Sequence, residues 1–123
     1  MASELRVNTL KDASGNNSIA TSFVAGGSVK MWSNVQADQS TQNDSFNVSS
    51  VSDEGTGKSR RNLTSAFSAN PFDNAGLSVE QQDNAGFSRF TDVSTSAVET
   101  NVRNASNSNS DHKNCCLAIG DLA

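Results

Sequence analysis

Residues 44–63 read DSFNVSSVSDEGTGKSRRNL, two strand-like runs on either side of a glycine-containing turn. In the first run Phe46 and Val48 alternate with polar residues, and after the turn Leu63 and Phe67 do the same. Residues 53–57, DEGTG, read as a hairpin loop, because glycine supplies the positive φ values that tight turns need. This pattern predicts two antiparallel strands, each with one buried and one solvated face.

The same period of two recurs along the chain, with Trp32 on the outward side of its strand. The apolar positions that we expect to face inward are Leu5, Val7, Ile19, Phe23, Val29, Met31, Val35, Leu77, Val79, Cys115, Leu117 and Ile119. No segment predicts a convincing helix, and residues 59–73 are compatible with strand, loop or a short helix. The segment DNAGLS (73–78) recurs ten residues later as DNAGFS (83–88), and this repeat predicts two consecutive strands of a meander.

Strand starts spaced about 8–12 residues apart are typical of an all-β fold. We therefore predict an antiparallel β-sandwich, jelly-roll-like, preceded by a short N-terminal β arm. The glycine pair at 26–27 divides the chain into an attachment or oligomerisation arm (1–27) and a sandwich domain (28–123). The arm is too short to be stable alone, so it should dock on a partner or on other copies through Leu5, Val7, Ile19 and Phe23.

Composition narrows the classes of function. Nine Lys and Arg stand against 13 Asp and Glu, a net charge of −4, which argues against a nucleic-acid partner. No apolar run is long enough for a membrane span, and the first residues do not form a secretory signal. Apolar Leu, Ile, Val and Phe make up just under a fifth of the chain, so we expect oligomerisation to add to a small core.

Motifs for catalysis are weak. Residues 55–59, GTGKS, resemble the end of a phosphate-binding loop, but Ser52 stands where that pattern needs glycine. His112 with adjacent Cys115 and Cys116 lacks the ligand spacing of zinc sites. We therefore predict no enzyme activity, no cofactor and no metal, and interpret His112 as an inert histidine of an exposed polar loop.

Three residues are candidates for exposed contacts. Trp32 could stack on a sugar, although its position favours an ordinary core or interface aromatic. Arg60 and Arg61 form the chain's basic cluster with Lys58, and Asp53 and Glu54 just upstream suggest cross-strand charge pairing.

Two stretches resemble a known family. The opening, residues 3–10 (SELRVNTL) and 13–17 (ASGNN), is similar to the start of many bacteriophage tail-fibre and related virion proteins. Residues 27–32 (GSVKMW), 44–51 (DSFNVSSV) and 55–57 (GTG) resemble a β-domain of marine phage tail fibres, including those of cyanophages, and 119–121 resemble its closing strand. The chain departs from that pattern after Lys58, where 59–63 read SRRNL in place of an apolar strand.

The resemblance implies a virion structural protein made in the host cytoplasm: a component of a tail fibre or short tail appendage, acting in assembly or host attachment. It also implies a homotrimer in contact with other tail or capsid proteins, and a host-surface glycan as a further partner. A capsid decoration protein that stabilises the shell is the alternative. A glycan-binding module is a third reading from a different class.

Overall fold

The computed structural model describes residues 6–16, 18–69, 75–81 and 86–123. Among these described residues the first elements are β1 (Thr9–Leu10), β2 (Ile19–Ala20) and a helix, α1 (Thr21–Gly27). Eight longer strands follow: β3 (Val29–Val35), β4 (Gln42–Phe46), β5 (Val48–Asp53), β6 (Lys58–Leu63), β7 (Ala75–Glu80), β8 (Phe87–Val93), β9 (Ala97–Arg103) and β10 (Asn114–Ile119).

The eight longer strands form two antiparallel four-stranded sheets that pack on each other. The first sheet has the order β4-β3-β10-β7, and the second has the order β5-β6-β9-β8. The last two strands, β9 and β10, therefore occupy central places in the two sheets. This confirms the predicted all-β sandwich. The boundary at residue 27 between arm and sandwich stays a prediction.

Side chains from both sheets fill the space between them. Met31, Cys116 and Ala118 contribute from the first sheet, and Val93 and Val98 from the second. Phe67, which follows β6, is also fully buried in this cluster. Burial of a handful of apolar side chains at roughly 1.5–3 kcal/mol each supports one modest core.

The predicted hairpin at 53–57 joins β5 to β6. Glu54 donates its backbone N–H to the carbonyl of Lys58, and Lys58 donates to that of Gly55. Gly55 and Gly57 have φ values of 105° and 71°, which explains the two glycines. The sequence is compatible with strand, loop or a short helix over residues 59–73. The structure shows that the first part of this segment belongs to strand β6 (Lys58–Leu63).

Three sequence expectations about the elements and their faces are wrong. Residues 21–27 are helical, since the run Ala20, Phe23, Val24, Gly27 also fits a helical period and short apolar runs are ambiguous. The strands of the DNAG repeat, β7 and β8, lie in different sheets and so form no meander.

The third error concerns the face of β10. Its buried residues are Asn114, Cys116 and Ala118, whereas Cys115 and Leu117 face outward. Both sets alternate equally well, so the period alone does not choose between them. Small side chains face inward here because the opposite sheet brings bulkier residues, Phe90 among them, into the core.

Candidate assembly surfaces

The N-terminal arm is held together mainly by backbone pairing. Thr9 pairs with Ala20 and Leu10 with Ile19. The Thr21 hydroxyl then donates to the carbonyls of Val7 and Asn8, at 3.1 and 3.2 Å, where the helix begins. None of the seven residues of α1 is buried, so the arm has almost no core of its own.

The arm residues singled out from the sequence are exposed. Val7 is 38 % exposed, Ile19 43 % and Phe23 73 %, and Leu5 lies outside the described residues. Covering apolar side chains that are so open to water lowers the free energy of the system. The arm is therefore a candidate attachment element. Two further exposed residues share this property, Leu10 and Val24.

The outward side of the first sheet carries a second apolar surface. Strand register places Phe46, Trp32, Leu117 and Leu77 in one row across all four strands. The row on one side contains Val79 and Cys115 and continues with the polar Asn34 and Asp44, and the row on the other side contains Val29 and Ile119. We call the eight apolar residues of these three rows, Cys115 included, the apolar face.

Trp32 lies in the middle of the apolar face. It is 38 % exposed and lines a groove of about 220 Å³ with Leu77, Val79 and Leu117. Its cross-strand neighbours, Phe46 and Leu117, are apolar. The surroundings thus favour the interface reading of Trp32 over a sugar platform, which would be expected to offer more hydrogen-bonding groups.

Arg60 lies on the outward side of the second sheet. Its guanidinium contacts a carboxylate oxygen of Asp92 at 2.9 Å, and Lys58 lies 3.7 Å from Glu99 on the same surface. The pair of Arg60 and Asp92 is open to water and contributes little to stability. Glu99, in contrast, is buried. Asp92 and Glu99 come from β8 and β9, not from the Asp53–Glu54 loop suggested by the sequence.

Arg61 is not an exposed contact: it is fully buried. Register places it opposite Val98 on the inward face of β6. Its Nη1 donates to the carbonyl and hydroxyl of Ser59, at 3.0 and 2.8 Å, and to the Thr100 hydroxyl; its Nη2 donates to Asn114 Oδ1. Burial lowers the pKa of Arg61 from its ordinary value.

The physical reason for this error is the strand period. A pair of adjacent arginines in a strand must point to opposite faces. Arg60 takes the solvent side, so Arg61 enters the core. There neutral oxygens accept hydrogen bonds from its Nη1 and Nη2, whereas its Nε has no partner among the described residues. The adjacent pair itself was the signal that one of the two would be buried.

His112 also lies deeper than the sequence suggested. It is 8 % exposed, its Nδ1 is 3.4 Å from Glu80 Oε1, and its Nε2 is 2.9 Å from the Ser110 hydroxyl. This contact joins the loop before β10 to the edge strand β7. Both cysteines are free thiols, and burial raises the pKa of Cys116. Within the described ranges, no three His, Cys, Asp or Glu residues lie together as a metal site.

Sequence analysis does not find the apolar face because, apart from Trp32, it assigns the residues of that face to the core. Leu77, Val79, Leu117 and Ile119 were expected to point inward, and Phe46 was interpreted as the buried side of its strand. A usable signal was present in β10, where alternate positions hold Asn114, Cys116 and Ala118. Those residues suit a crowded interior, and assigning them inward would have turned the larger residues outward.

Comparison with protein-family models, with curated proteins and with solved structures found no match to this chain. In the part of the chain that the structure describes, no helix has the length and apolar character needed to cross a membrane.

Proposed function

We propose that this chain is a virion structural protein, a component of a phage tail fibre or short tail appendage that acts in assembly or host attachment. In this proposal the arm attaches to another virion protein, the sandwich projects from it, and the chains form a homotrimer. The main observation in support is the arm, whose apolar side chains are open to solvent in a chain that contains few apolar residues.

The elements of the arm are too short to be stable without a partner. Its two strands have two residues each and its helix has seven. Isolated hairpins and helices shorter than about 12 residues are marginal in water. A segment of this kind fits an attachment role, because docking supplies the burial that it lacks on its own.

The sequence resemblance supports the virion assignment. The resembling stretches include the arm's first strand, the β3 strand with Trp32, and the hairpin at 55–57. Two of these features, β3 and the hairpin, are regular parts of the sandwich. A rigid β-sandwich rich in Ser, Asn and Thr suits a particle protein that works by its shape and contacts.

The test is the protein composition of particles of the virus that encodes this sequence. Quantitative mass spectrometry, with the major capsid protein as standard, should find the chain in tens of copies. Hundreds of copies would favour the decoration protein instead. Absence from intact particles, or binding of the purified chain to host polysaccharide without incorporation, would contradict a structural role.

A matched pair of variants tests the arm. Phe23→Asp places a charge on the arm, and Phe87→Asp places one on the outward side of the second sheet, where Phe87 is 45 % exposed. We expect Phe23→Asp to be lost from particles while it still folds, and Phe87→Asp to be retained. Equal incorporation of the two variants would show that the arm is not the attachment element.

A further inference from the structure

We propose that the apolar face is the surface through which copies of this chain associate with one another. This deepens the self-association part of the proposed function and assigns it to the sandwich, whereas the sequence pointed to the arm. The size of the apolar face, its charge distribution and its polar border each support a second copy of the chain as the partner that covers it.

The size of the apolar face fits a stable contact. Phe46 and Leu77 are 50 % and 55 % exposed, and Trp32, Val29 and Val79 are 38–42 % exposed. Together these five leave roughly 400 Å² open to solvent, at the scale of patches that mark interaction sites. A standard interface buries about 800 Å² per partner, a little over half of it apolar, so the apolar face supplies nearly all of the apolar share.

The charge distribution favours identical copies. In closed symmetric oligomers, residues near the axis meet their own counterparts, so a charged centre would repel itself. The four residues of the central row, Phe46, Trp32, Leu117 and Leu77, are all uncharged. A carboxylate, that of Asp44, lies in the next row beside Asn34. The outward side of the second sheet carries more charge, with Lys58, Arg60, Arg89, Asp92 and Glu99.

The polar border of the apolar face is already satisfied within the chain. Asn34 donates to Gln81 Oε1 at 2.9 Å, Asn43 donates to Asn34 Oδ1 at 3.1 Å, and Gln36 donates to Asn43 Oδ1 at 2.5 Å. Neutral amides that bond to one another can be covered at lower cost than unpaired polar groups. A second copy that covers these amides would also meet the exposed carboxylate of Asp44, which pairs with Asn34 and must stay at the solvated rim of the contact.

The test compares the solution mass of the full chain with that of two charge variants. Leu77→Asp places a carboxylate on the apolar face, and Phe87→Asp is its matched control on the other sheet. Both sites are about half exposed, so the fold should tolerate each change. We expect light scattering to show an oligomer for wild type and for Phe87→Asp, and a folded monomer for Leu77→Asp.

Two additions keep the test decisive. If Leu77→Asp fails to fold, Phe46→Asp probes the opposite edge of the same row. In the wild-type protein, iodoacetamide should react with Cys115 only after unfolding, because association covers it. A monomeric wild type overturns self-association as a whole. An oligomer that keeps its mass in both face variants, or whose Cys115 reacts freely, overturns only the assignment to the apolar face.

Discussion

Arg61 and the side chains around it form a polar centre inside the sandwich. Within the described residues, its guanidinium donates to neutral oxygens of Ser59, Thr100 and Asn114. Asn114 is fully buried and also donates to Gln39 Oε1 at 3.2 Å. A buried cation bound this way depends on every acceptor, because water cannot replace a lost one.

Replacing Asn114 with alanine should lower the free energy of unfolding by about 3 kcal/mol, since it removes an acceptor from a buried charge. Asn62→Ala is the control: Asn62 lies on the same strand as Arg61 but bonds to Ser50 at the surface, at 3.0 Å. Its cost should stay within about 0.5 kcal/mol. Urea denaturation at one protein concentration measures both changes in unfolding free energy. Equal losses for the two variants would show that the hydrogen bonds to Arg61 stabilise the fold no more than the surface bond of Asn62 does.

Sequence reasoning worked least well for single residues. The alternation around Met31 and Val35 identified buried positions correctly. It could not place Arg61, because residue type predicts exposure for arginine and only the pairing of β6 with β9 shows the opposite. His112 was missed for a similar reason: its partner, Glu80, is distant in sequence and meets it through the fold.

At the scale of elements, the hairpin between β5 and β6 was the most predictable part of the chain, because its turn chemistry is local. The two glycines have different surroundings, however. A Cβ at Gly57 would lie 2.5 Å from the carbonyl oxygen of Val102 and 2.9 Å from the amide nitrogen of Ser110. A Cβ at Gly55 would meet nothing within 4 Å.

This difference predicts unequal effects of alanine in one loop. Gly55→Ala should cost about 1 kcal/mol, the strain of a positive φ for a residue with a Cβ. Gly57→Ala adds an overlap with backbone atoms that cannot rotate away, and should cost about 3 kcal/mol or more. Thermal unfolding followed by circular dichroism measures both. Identical losses would mean that the contact with Val102 and Ser110 does not constrain the loop.

Strand existence was easier to predict than strand orientation. The period of two marks β3 and β10 as strands, but the same period describes both of their faces. Which face is buried depends on the sheet that packs on it, and for β10 the inward set is Asn114, Cys116 and Ala118. The short helix α1 was missed because seven residues, several of them apolar, fit both periods.

At the scale of the whole molecule, the two sheets present different outward surfaces. The first presents the apolar face, and the second presents charged residues that include the pair Arg60 and Asp92. The arm adds exposed apolar residues at the start of the chain. The fold class followed from the sequence, but the apolar face did not, because a surface is a product of register between strands far apart in sequence.

The solution mass of the purified full chain, measured by light scattering at two concentrations, tests the central claim most directly. The claim is that this protein works as an assembly of its own copies. The account predicts a mass of three chains at both concentrations, because association supplies burial that the small core lacks. A folded monomer at the higher concentration would contradict it.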